Sequence, residues 1–269
     1  NCFNEKVEHP SELAVRVSDR HFGIGSDGLI LIKPSEVADF KMDMYNADGT
    51  QSEMCGNGIR CVGKYVYDYG LTDKTSVSIE TLAGIKYLEF TLGDEEKNGR
   101  KTVKLVRVNM GAPILAPEDV PVDLPDAGDI VQDYPIMVAG KEYRITCVSM
   151  GNPHCVSFVD DVDNFPLEEV GPLFENNPIF PRRVNAEFVE LVSPTYAKMR
   201  VWERGTGETL ACGTGTCATA VACILNGKTE DEVTVKLLGG ELIIRWDRNA
   251  NIIYMTGPAK VVFDGEIEV

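Results

Sequence analysis

Apolar and polar residues alternate over many short segments of this chain, which is the pattern of half-buried β-strands. In the first half the pattern covers residues 29–32, 40–44, 77–79, 87–92 and 103–108. In the second half it covers residues 143–148, 188–192, 199–201, 233–237, 242–246 and 252–255. Because the segments are short and both halves contain several, we predict a sheet in each half.

Two stretches depart from alternation and show the three- and four-residue spacing of an α-helix. Their apolar residues are Ile59, Val62 and Val66 in the first half, and Ala218, Val221 and Ala222 in the second. A glycine follows each stretch, at Gly70 and Gly227, as expected just beyond a helix C-terminus. Many short strands with one prominent helix per half predict an α+β fold, in which each helix packs into a curved, mainly antiparallel sheet.

The two halves repeat one another. When the chain is shifted by 157 residues, the difference between positions 212 and 55, Cys55-Gly56 falls on Cys212-Gly213 and Lys41-Met42 falls on Lys198-Met199. We therefore predict two similar domains related by a pseudo-twofold axis. The first comprises residues 1–111 and the second comprises residues 112–257. Near the end, Thr256-Gly257-Pro258 echoes Met110-Gly111-Ala112-Pro113, so we infer a second crossing, with residues 258–269 joining the first domain as a returning strand.

The balance of charge excludes two classes of partner. The sequence has 26 basic and 42 acidic residues and a formal net charge of -16, so it repels nucleic acid and anionic lipid. No stretch reaches the roughly 20 apolar residues that span a bilayer. We expect a cytoplasmic protein that acts on a small molecule.

Cys61, Cys217 and Cys223 fall within the helical patterns, which predicts buried, unoxidised thiols.

Each predicted helix begins with the motif Cys-Gly-x-Gly, at Cys55 and at Cys212. Backbone N–H groups in the first turn of a helix are unpaired and the helix dipole is positive there, so a cysteine at this position ionises more easily. The glycines leave the same N–H groups open to a carboxylate. A single motif would fit a structural cysteine that caps a turn, but its duplication favours chemistry.

Two such motifs suit a reaction that inverts an amino-acid stereocentre without a cofactor. Removing the α-proton places negative charge on the adjoining carboxylate, and N–H donors aimed at that carboxylate stabilise the transition state. Inversion then needs a proton from the opposite face, which the second cysteine can supply. We expect one thiolate and one thiol, whose roles exchange with reaction direction.

The residues around both cysteines resemble the signatures of the diaminopimelate epimerases. The first is NADGTQSEMCGNGIRC at 46–61, the second is ERGTGETLACGTG at 203–215, and the loop GNPH at 151–154 lies between them. The resemblance covers nearly the whole chain. It implies interconversion of LL- and meso-2,6-diaminopimelate for lysine and peptidoglycan precursor biosynthesis, no metal or pyridoxal phosphate, and a homodimer.

The resemblance also assigns roles to individual residues. Cys55 and Cys212 match the proton donor and acceptor, and His154 and Glu203 match residues that tune the pKa of the thiols. The residues that match substrate-binding positions are Asn46, Gly56, Asn57, Asn152, Asn185, Glu203, Arg204, Gly213 and Thr214. A loop hydrogen bond is the alternative interpretation for the histidine, and a turn-stabilising role is the alternative for the asparagines of the second half.

Three other functions are open to the same residues. Proline racemases and hydroxyproline epimerases also pair two cysteines, but they typically carry histidine where Asn57 stands, which favours diaminopimelate. A non-catalytic amino-acid-binding protein could use the same residues. A dithiol redox protein would usually show Cys-x-x-Cys, which this sequence lacks. Labelling of the substrate from deuterated water separates an epimerase from a binding protein.

Overall fold

The alternating segments of the sequence form strands in the structure, a computed structural model that describes residues 1–4, 6–97, 99–124 and 126–268. The chain divides into two units. Unit 1 comprises Asn1–Val108 and Gly257–Val269, and unit 2 comprises Asn109–Thr256. None of the helices in these described stretches is long and apolar enough to cross a membrane.

Unit 1 is a mainly antiparallel sheet with helices packed on it. Its elements are α1 (Pro10–Ser18), β1 (Gly28–Lys33), β2 (Phe40–Asn46), β3 (Gln51–Ser52), α2 (Gly56–Asp68), β4 (Ser76–Thr81), β5 (Gly84–Lys97) and β6 (Arg100–Gly111). The strand order is β1-β2-β4-β5-β6, and β3 pairs with β2. Neighbouring strands are antiparallel except β2 and β4, which are parallel.

The helix that follows Cys55 packs closely on its sheet. The buried residues of α2 include Ile59, Val62 and Val66, as their spacing predicts. A Cβ at Gly63 would lie 2.8 Å from the Leu88 side chain, so this glycine lets the helix approach β5. Cys61 is exposed, and the prediction that it is buried was wrong. Position 61 lies two residues from Ile59, which turns its side chain about 200° away from the core face.

Unit 2 repeats this plan and extends it. Its elements are β7 (Tyr134–Val138), β8 (Lys141–Ser149), β9 (Pro153–Phe158), α3 (Leu167–Glu175), β10 (Asn185–Ser193), β11 (Tyr196–Glu203), β12 (Gly207–Glu208), α4 (Gly213–Leu225), β13 (Glu232–Leu237), β14 (Gly240–Asp247) and β15 (Ile252–Gly257). The strand order is β15-β14-β13-β11-β10-β9-β8-β7, with β12 against β11. The pairs β9/β10 and β11/β13 are parallel, and the other pairs are antiparallel.

An aromatic cluster fills one face of β10. The Phe188 ring stacks on Phe165 with a centroid distance of 4.3 Å, and Phe174 meets Phe188 edge-on at 5.0 Å. Helix α4 lies among the strands of the same unit and is buried along most of its length, which explains its largely apolar sequence. Strand β10 is therefore covered on both faces by the core of unit 2.

The internal repeat seen in the sequence is reproduced in the hydrogen-bond register of the strands. Leu29 pairs with Tyr45 between β1 and β2, and the residues 157 positions later, Ala186 and Trp202, pair between β10 and β11. Helices α2 and α4 begin and end 157 residues apart. Since pairing, direction and helix bounds all coincide, the predicted repeat is a structural repeat as well as a sequence repeat.

Two helices of the described residues, α1 and α3, were not predicted from the sequence pattern. Helix α1 buries few apolar side chains, Ala14 and Val17, so its periodicity is faint. Helix α3 contains Pro172, which normally argues against a helix interior. Here Pro172 is the sixth residue of the helix, and the buried Leu167 and Phe174 hold the helix on the core.

The returning strand predicted at 258–269 does not form in residues 258–268, and residue 269 lies outside the described residues. This segment belongs to unit 1, but arginine side chains hold its backbone. Arg60 Nε donates to the Pro258 carbonyl at 3.2 Å, and Arg16 Nη2 donates to the Glu268 carbonyl at 3.1 Å. Phe263 is 62% exposed. Side-chain donors thus bind carbonyls that a strand ladder would otherwise use.

Candidate active site

Cys55 is placed at the N-terminus of α2 by a short hairpin. Strand β2 ends at Asn46, β3 returns along it, and the chain then enters the helix. Gly49 has a φ of +84° in the connecting turn, a value that favours glycine. Cys55 is the extended N-cap residue, and its half-buried Sγ accepts a hydrogen bond from the Gly58 N–H at 3.3 Å. Its sulfur therefore lies at the N-terminal end of the helix, against the first-turn N–H groups.

Cys212 occupies the same place at the N-terminus of α4. Its backbone is also extended, with φ −122° and ψ 109° against −132° and 119° at Cys55. The Sγ atom lies 3.6 Å from Thr214 Oγ1, and the Cys212 carbonyl accepts a hydrogen bond from Thr216 Oγ1 at 2.6 Å. Cys212 is only 6% exposed. The two cysteines thus share backbone geometry and differ in burial.

The surroundings of Cys212 oppose its ionisation. Burial raises the pKa of this thiol well above its usual value of 9.0, and the nearby carboxylates of Glu203 and Glu187 raise the pKa further. The Gly215 amide and the Thr214 hydroxyl act in the opposite direction, but they do not outweigh burial. Cys212 is therefore a protonated thiol at neutral pH in the absence of a ligand.

The second glycine of each motif is required by packing against the first strand of the repeat. A Cβ at Gly58 would lie 2.8 Å from Ile30 Cδ1, and a Cβ at Gly215 would lie 2.6 Å from Glu187 Oε1. Positions 30 and 187 are 157 residues apart. The same space beneath the helix start therefore holds the terminal methyl group of an isoleucine in unit 1 and a carboxyl group in unit 2.

The intervening residues of the two motifs, Asn57 and Thr214, are half-exposed, while the flanking glycines Gly56 and Gly213 are buried. In unit 1, Arg60 holds the turn in place: its Nη1 donates to the Gly56 carbonyl at 3.0 Å and its Nη2 donates to Asn57 Oδ1 at 3.1 Å. The first-turn N–H groups at these positions are the ones that a helix start leaves for an anion.

The remaining predicted ligands lie at strand ends and in loops. Asn46 ends β2, and its Nδ2 donates to Thr50 Oγ1 at 2.9 Å. At the equivalent end of β11, Glu203 accepts a hydrogen bond from Thr209 Oγ1. Arg204 follows it, and one guanidinium nitrogen donates to the Arg182 carbonyl at 2.9 Å. Polar side chains therefore flank the turn that precedes each cysteine.

Asn185 ties two loops of unit 2 together. Its Oδ1 accepts from the Arg204 N–H at 2.9 Å, and its Nδ2 donates to the Pro153 carbonyl at 2.8 Å. Asn185 is 4% exposed. The turn-stabilising role left open by the sequence is therefore present in the structure, and the second Nδ2 hydrogen is left for another acceptor.

A buried chain of hydrogen bonds connects Asn152, His154 and Glu187. His154 Nδ1 lies 2.7 Å from Glu187 Oε1, and His154 Nε2 lies 3.0 Å from Asn152 Oδ1. Burial raises the pKa of Glu187, and His154 limits that rise. His154 completes the loop hydrogen bond considered from the sequence, and it also has a carboxyl partner that the sequence did not suggest.

Sequence reasoning missed Glu187. In the alternating strand NAEFVE a lone acid would normally face solvent, yet Glu187 is fully buried. The available signal was the repeat itself: the equivalent residue, Ile30, is apolar, which marks position 187 as facing the helix.

Among the described residues, Asp161, Asp163 and Glu190 are grouped closely enough to hold a metal ion. Lys198 lies in the same group, with Nζ 2.8 Å from Asp163 and 3.4 Å from Glu190. Its ammonium already balances part of the negative charge, and the cluster lies apart from the cysteine turns in sequence. It therefore adds nothing to the candidate site.

Comparison with known proteins gives one consistent family. A family model described as diaminopimelate epimerase matches residues 2–116 and 146–262. The chain is 61% identical to a diaminopimelate epimerase of Acetivibrio thermocellus, covering 100% of this chain and 93% of that protein. It is 59% identical to one of Agathobacter rectalis, covering 100% and 94%, and 56% identical to one of Methanococcus maripaludis strain C5, covering 100% and 94%.

Solved structures that resemble this one carry the same fold at low sequence identity. A PhzF-family phenazine biosynthesis protein of Enterococcus faecalis matches with a TM-score of 0.66 at 11% identity, covering 99% of this chain and 90% of that one. A hydroxyproline epimerase of Agrobacterium vitis matches with a TM-score of 0.63 at 15% identity, covering 91% and 75%. These matches confirm the predicted α+β fold class.

Proposed function

The chain belongs to the diaminopimelate epimerase family, and from that premise we propose that Cys55 and Cys212 are the base and acid with which it interconverts LL- and meso-2,6-diaminopimelate. The observation that carries this proposal is the equivalence of the two cysteines. Each is the N-cap of a helix, in the same backbone conformation, at the same point of a structural repeat. Two packing cysteines would have no reason to share that position.

The chemistry requires one proton to leave and another to arrive. A thiolate removes the α-hydrogen, the C–H bond breaks, and its electron pair spreads into the neighbouring carboxylate. The opposite thiol then gives its S–H proton to the other face of the same carbon, so a new C–H bond forms with inverted configuration. The enzyme ends with its thiol and thiolate exchanged, and the next turnover in the reverse direction restores them.

The first turns of α2 and α4 supply the electrostatic part of the mechanism. We assign the backbone N–H groups of Gly56 and Asn57, and of Gly213 and Thr214, as donors to the carboxylate that gains charge when the α-proton leaves. Such donors stabilise the transition state more than the ground state, because the charge that they face develops during the step.

The difference in surroundings decides which cysteine begins as the base. Burial, Glu203 and Glu187 raise the pKa of Cys212, so Cys212 holds its proton in the resting enzyme. Cys55 is less buried and its Sγ accepts the Gly58 N–H, so we assign Cys55 as the base of the first half-reaction. The first half-reaction in the absence of prior turnover is then removal of the α-proton by Cys55.

The second amino-acid group of the substrate needs partners of both charges. We assign Arg204 to its carboxylate and Glu203 to its ammonium, since a guanidinium forks onto a carboxylate and a carboxylate pairs with an ammonium. Asn46, Asn152 and Asn185 add neutral donors and acceptors. Proline and hydroxyproline lack this second group, and Asn57 stands where enzymes for those substrates typically carry histidine.

The decisive experiment follows hydrogen exchange. LL-diaminopimelate incubated with the protein in deuterated water should gain one solvent deuterium at an α-carbon as it becomes the meso form. Cys55→Ala and Cys212→Ala should each abolish this conversion while leaving circular dichroism unchanged. Binding without deuterium uptake would favour an amino-acid-binding protein, and turnover of proline in place of diaminopimelate would favour a proline racemase.

We further propose that the protein acts in the cytoplasm as a homodimer. A catalytic thiol and thiolate survive only in a reducing compartment, because oxidation would consume both. In unit 1, Val262 is 89% exposed and Phe263 is 62% exposed. Adjacent exposed apolar side chains of this size suit contact with a second copy of the chain.

A further inference from the structure

Glu187 and His154 form an acid–imidazole pair that is completely buried in unit 2, with side chains 0% exposed. An apolar residue fits the same place, because Ile30 occupies it in the repeat of unit 1. A buried carboxyl group is costly compared with a well-packed apolar side chain, even when it has a partner. Because the buried carboxyl group occurs in unit 2 and not at the equivalent position of unit 1, we expect it to have a function specific to unit 2.

The pair lies directly beside Cys212. The same ideal Cβ position at Gly215 is 2.6 Å from Glu187 Oε1 and 3.2 Å from Cys212 Sγ, so the two atoms are no more than about 5.8 Å apart, the sum of those distances. The charged and titratable groups that face Glu187 are His154 from β9, Glu203 from β11, Cys212 from the start of α4, and Cys155. Glu187 thus lies within the surroundings of the thiol.

The hydrogen bonds of the pair fix the position of one proton, on His154 Nε2. Asn152 Oδ1 can only accept, so His154 Nε2 must carry a hydrogen and donate it. The remaining contact, between Nδ1 and Glu187 Oε1, holds one proton that either partner can carry. In both arrangements Glu187 keeps the imidazole ring oriented with Nε2–H towards Asn152.

This orientation determines which end of the Asn152 amide faces a ligand. Its Oδ1 is taken by His154, and its Nδ2 makes no hydrogen bond to any of the described residues. Asn152 is half-exposed, in contrast to the buried pair behind it. The amide therefore presents two N–H donors outward, which suits a carboxylate and not an ammonium.

We propose that Glu187 is a positioning residue of the epimerase: through His154 it holds the Asn152 amide with its NH2 group facing the substrate, as a donor to a substrate carboxylate. This inference rests on the proposed function for the identity of the substrate. It adds Glu187, which acts without touching the substrate, and it specifies the direction of the Asn152 hydrogen bond.

The test uses two substitutions of Glu187 in the full-length protein. Glu187→Ile copies the residue of the other repeat and removes the partner of His154, so Asn152 can rotate; we expect KM for diaminopimelate to rise about tenfold or more, the effect of losing a hydrogen bond to a charged group. Glu187→Gln can still donate to Nδ1, so its KM should stay within about threefold of wild type. Glu190→Gln, on the same strand with its carboxylate against Lys198, is the matched control.

A double substitution separates positioning from general damage. In an Asn152→Ala background the further change Glu187→Ile should leave KM unchanged, because its route of action is already removed. Equal tenfold effects in both backgrounds would overturn the proposal. So would a lower melting temperature for Glu187→Ile with KM unchanged, which is the result expected of a merely structural residue.

A spectroscopic readout tests the arrangement without relying on activity. The chain has three histidines, and His9 and His21 are exposed, so the nitrogen-15 signals of His154 can be assigned by substitution. Wild type and Glu187→Gln should show a protonated Nε2, and Glu187→Ile should not retain that fixed tautomer. A bare Nε2 in wild type overturns the proposal. If wild type fails to epimerise diaminopimelate, the proposed function fails, and this spectrum still decides the role of Glu187.

Discussion

Replacing Gly215 by alanine adds one methyl group at the point where the thiol, the carboxyl group and the helix start meet. The new Cβ would lie 2.6 Å from Glu187 Oε1 and 3.2 Å from Cys212 Sγ. Contacts under 3.0 Å are not tolerated, so the carboxyl oxygen must retreat by at least about 0.4 Å. The equivalent substitution in the other repeat, Gly58→Ala, meets the methyl end of Ile30 at 2.8 Å.

The two substitutions should differ because the two neighbours differ in freedom. Glu187 is fixed by its 2.7 Å contact with His154, and breaking a buried hydrogen bond costs about 1–3 kcal/mol. The Ile30 methyl can turn aside by a change of rotamer, which costs about 1 kcal/mol. Alanine in place of glycine favours a helix by up to about 1 kcal/mol at both positions, so this contribution cancels in the comparison. We expect Gly215→Ala to lose about 1 kcal/mol more stability than Gly58→Ala, the middle of the range that these costs give.

Urea unfolding followed by circular dichroism measures the stability of both variants, and deuterium uptake into diaminopimelate measures their activity. Gly215→Ala should also lose at least tenfold in kcat/KM, because displacement of Glu187 disturbs both Cys212 and the Asn152 amide. Equal losses of stability in the two variants would refute the reasoning, since it assigns the difference to the carboxyl group. So would full activity in Gly215→Ala.

Two predictions concern pH. Because the pKa of Cys212 is raised above 9.0, its alkylation by iodoacetamide, followed by peptide mass spectrometry, should keep accelerating up to pH 9, and a plateau below that pH would contradict the assignment. The Lys74 ammonium and the Ser78 N–H lower the pKa of Asp39. Its contribution to stability is therefore complete above the unfolded value of about 3.9 and is lost as pH falls through the lowered folded value. Asp39→Asn should lose about 1 kcal/mol at pH 7 in urea unfolding, and a loss that persists at pH 2 would disprove this.

The sequence was sufficient for those parts of the fold that repeat or alternate strongly. Helices α2 and α4 show clear apolar spacing and a glycine stop, and Gly70 and Gly227 both have positive φ in the structure. The strands were found because half-buried sheets force alternation. The C-terminal segment was predicted as a returning strand from the second crossing near Gly257 and from the resembled fold, but Arg60 and Arg16 bind its carbonyls, a tertiary effect that local pattern does not carry.

Within the candidate site, the sequence indicated the positions of Cys55 and Cys212 because a helix start constrains its own first turn. It could not indicate the Glu187–His154 pair. Residues 154 and 187 are brought together by the parallel pairing of β9 with β10, and neither segment alone contains a pattern that predicts this pairing. Long-range parallel neighbours are the contacts that periodicity leaves open.

Strand β10 separates two very different environments. Because successive side chains point to opposite faces, Ala186 and Phe188 enter the aromatic cluster while Asn185 and Glu187 face the helix. A slip of one residue along β10 would exchange the two sets, driving an acid among phenylalanine rings. The apolar face of β10 thereby sets the register of the whole strand. That register in turn keeps the ionisable side chain of Glu187 next to the sulfur of Cys212.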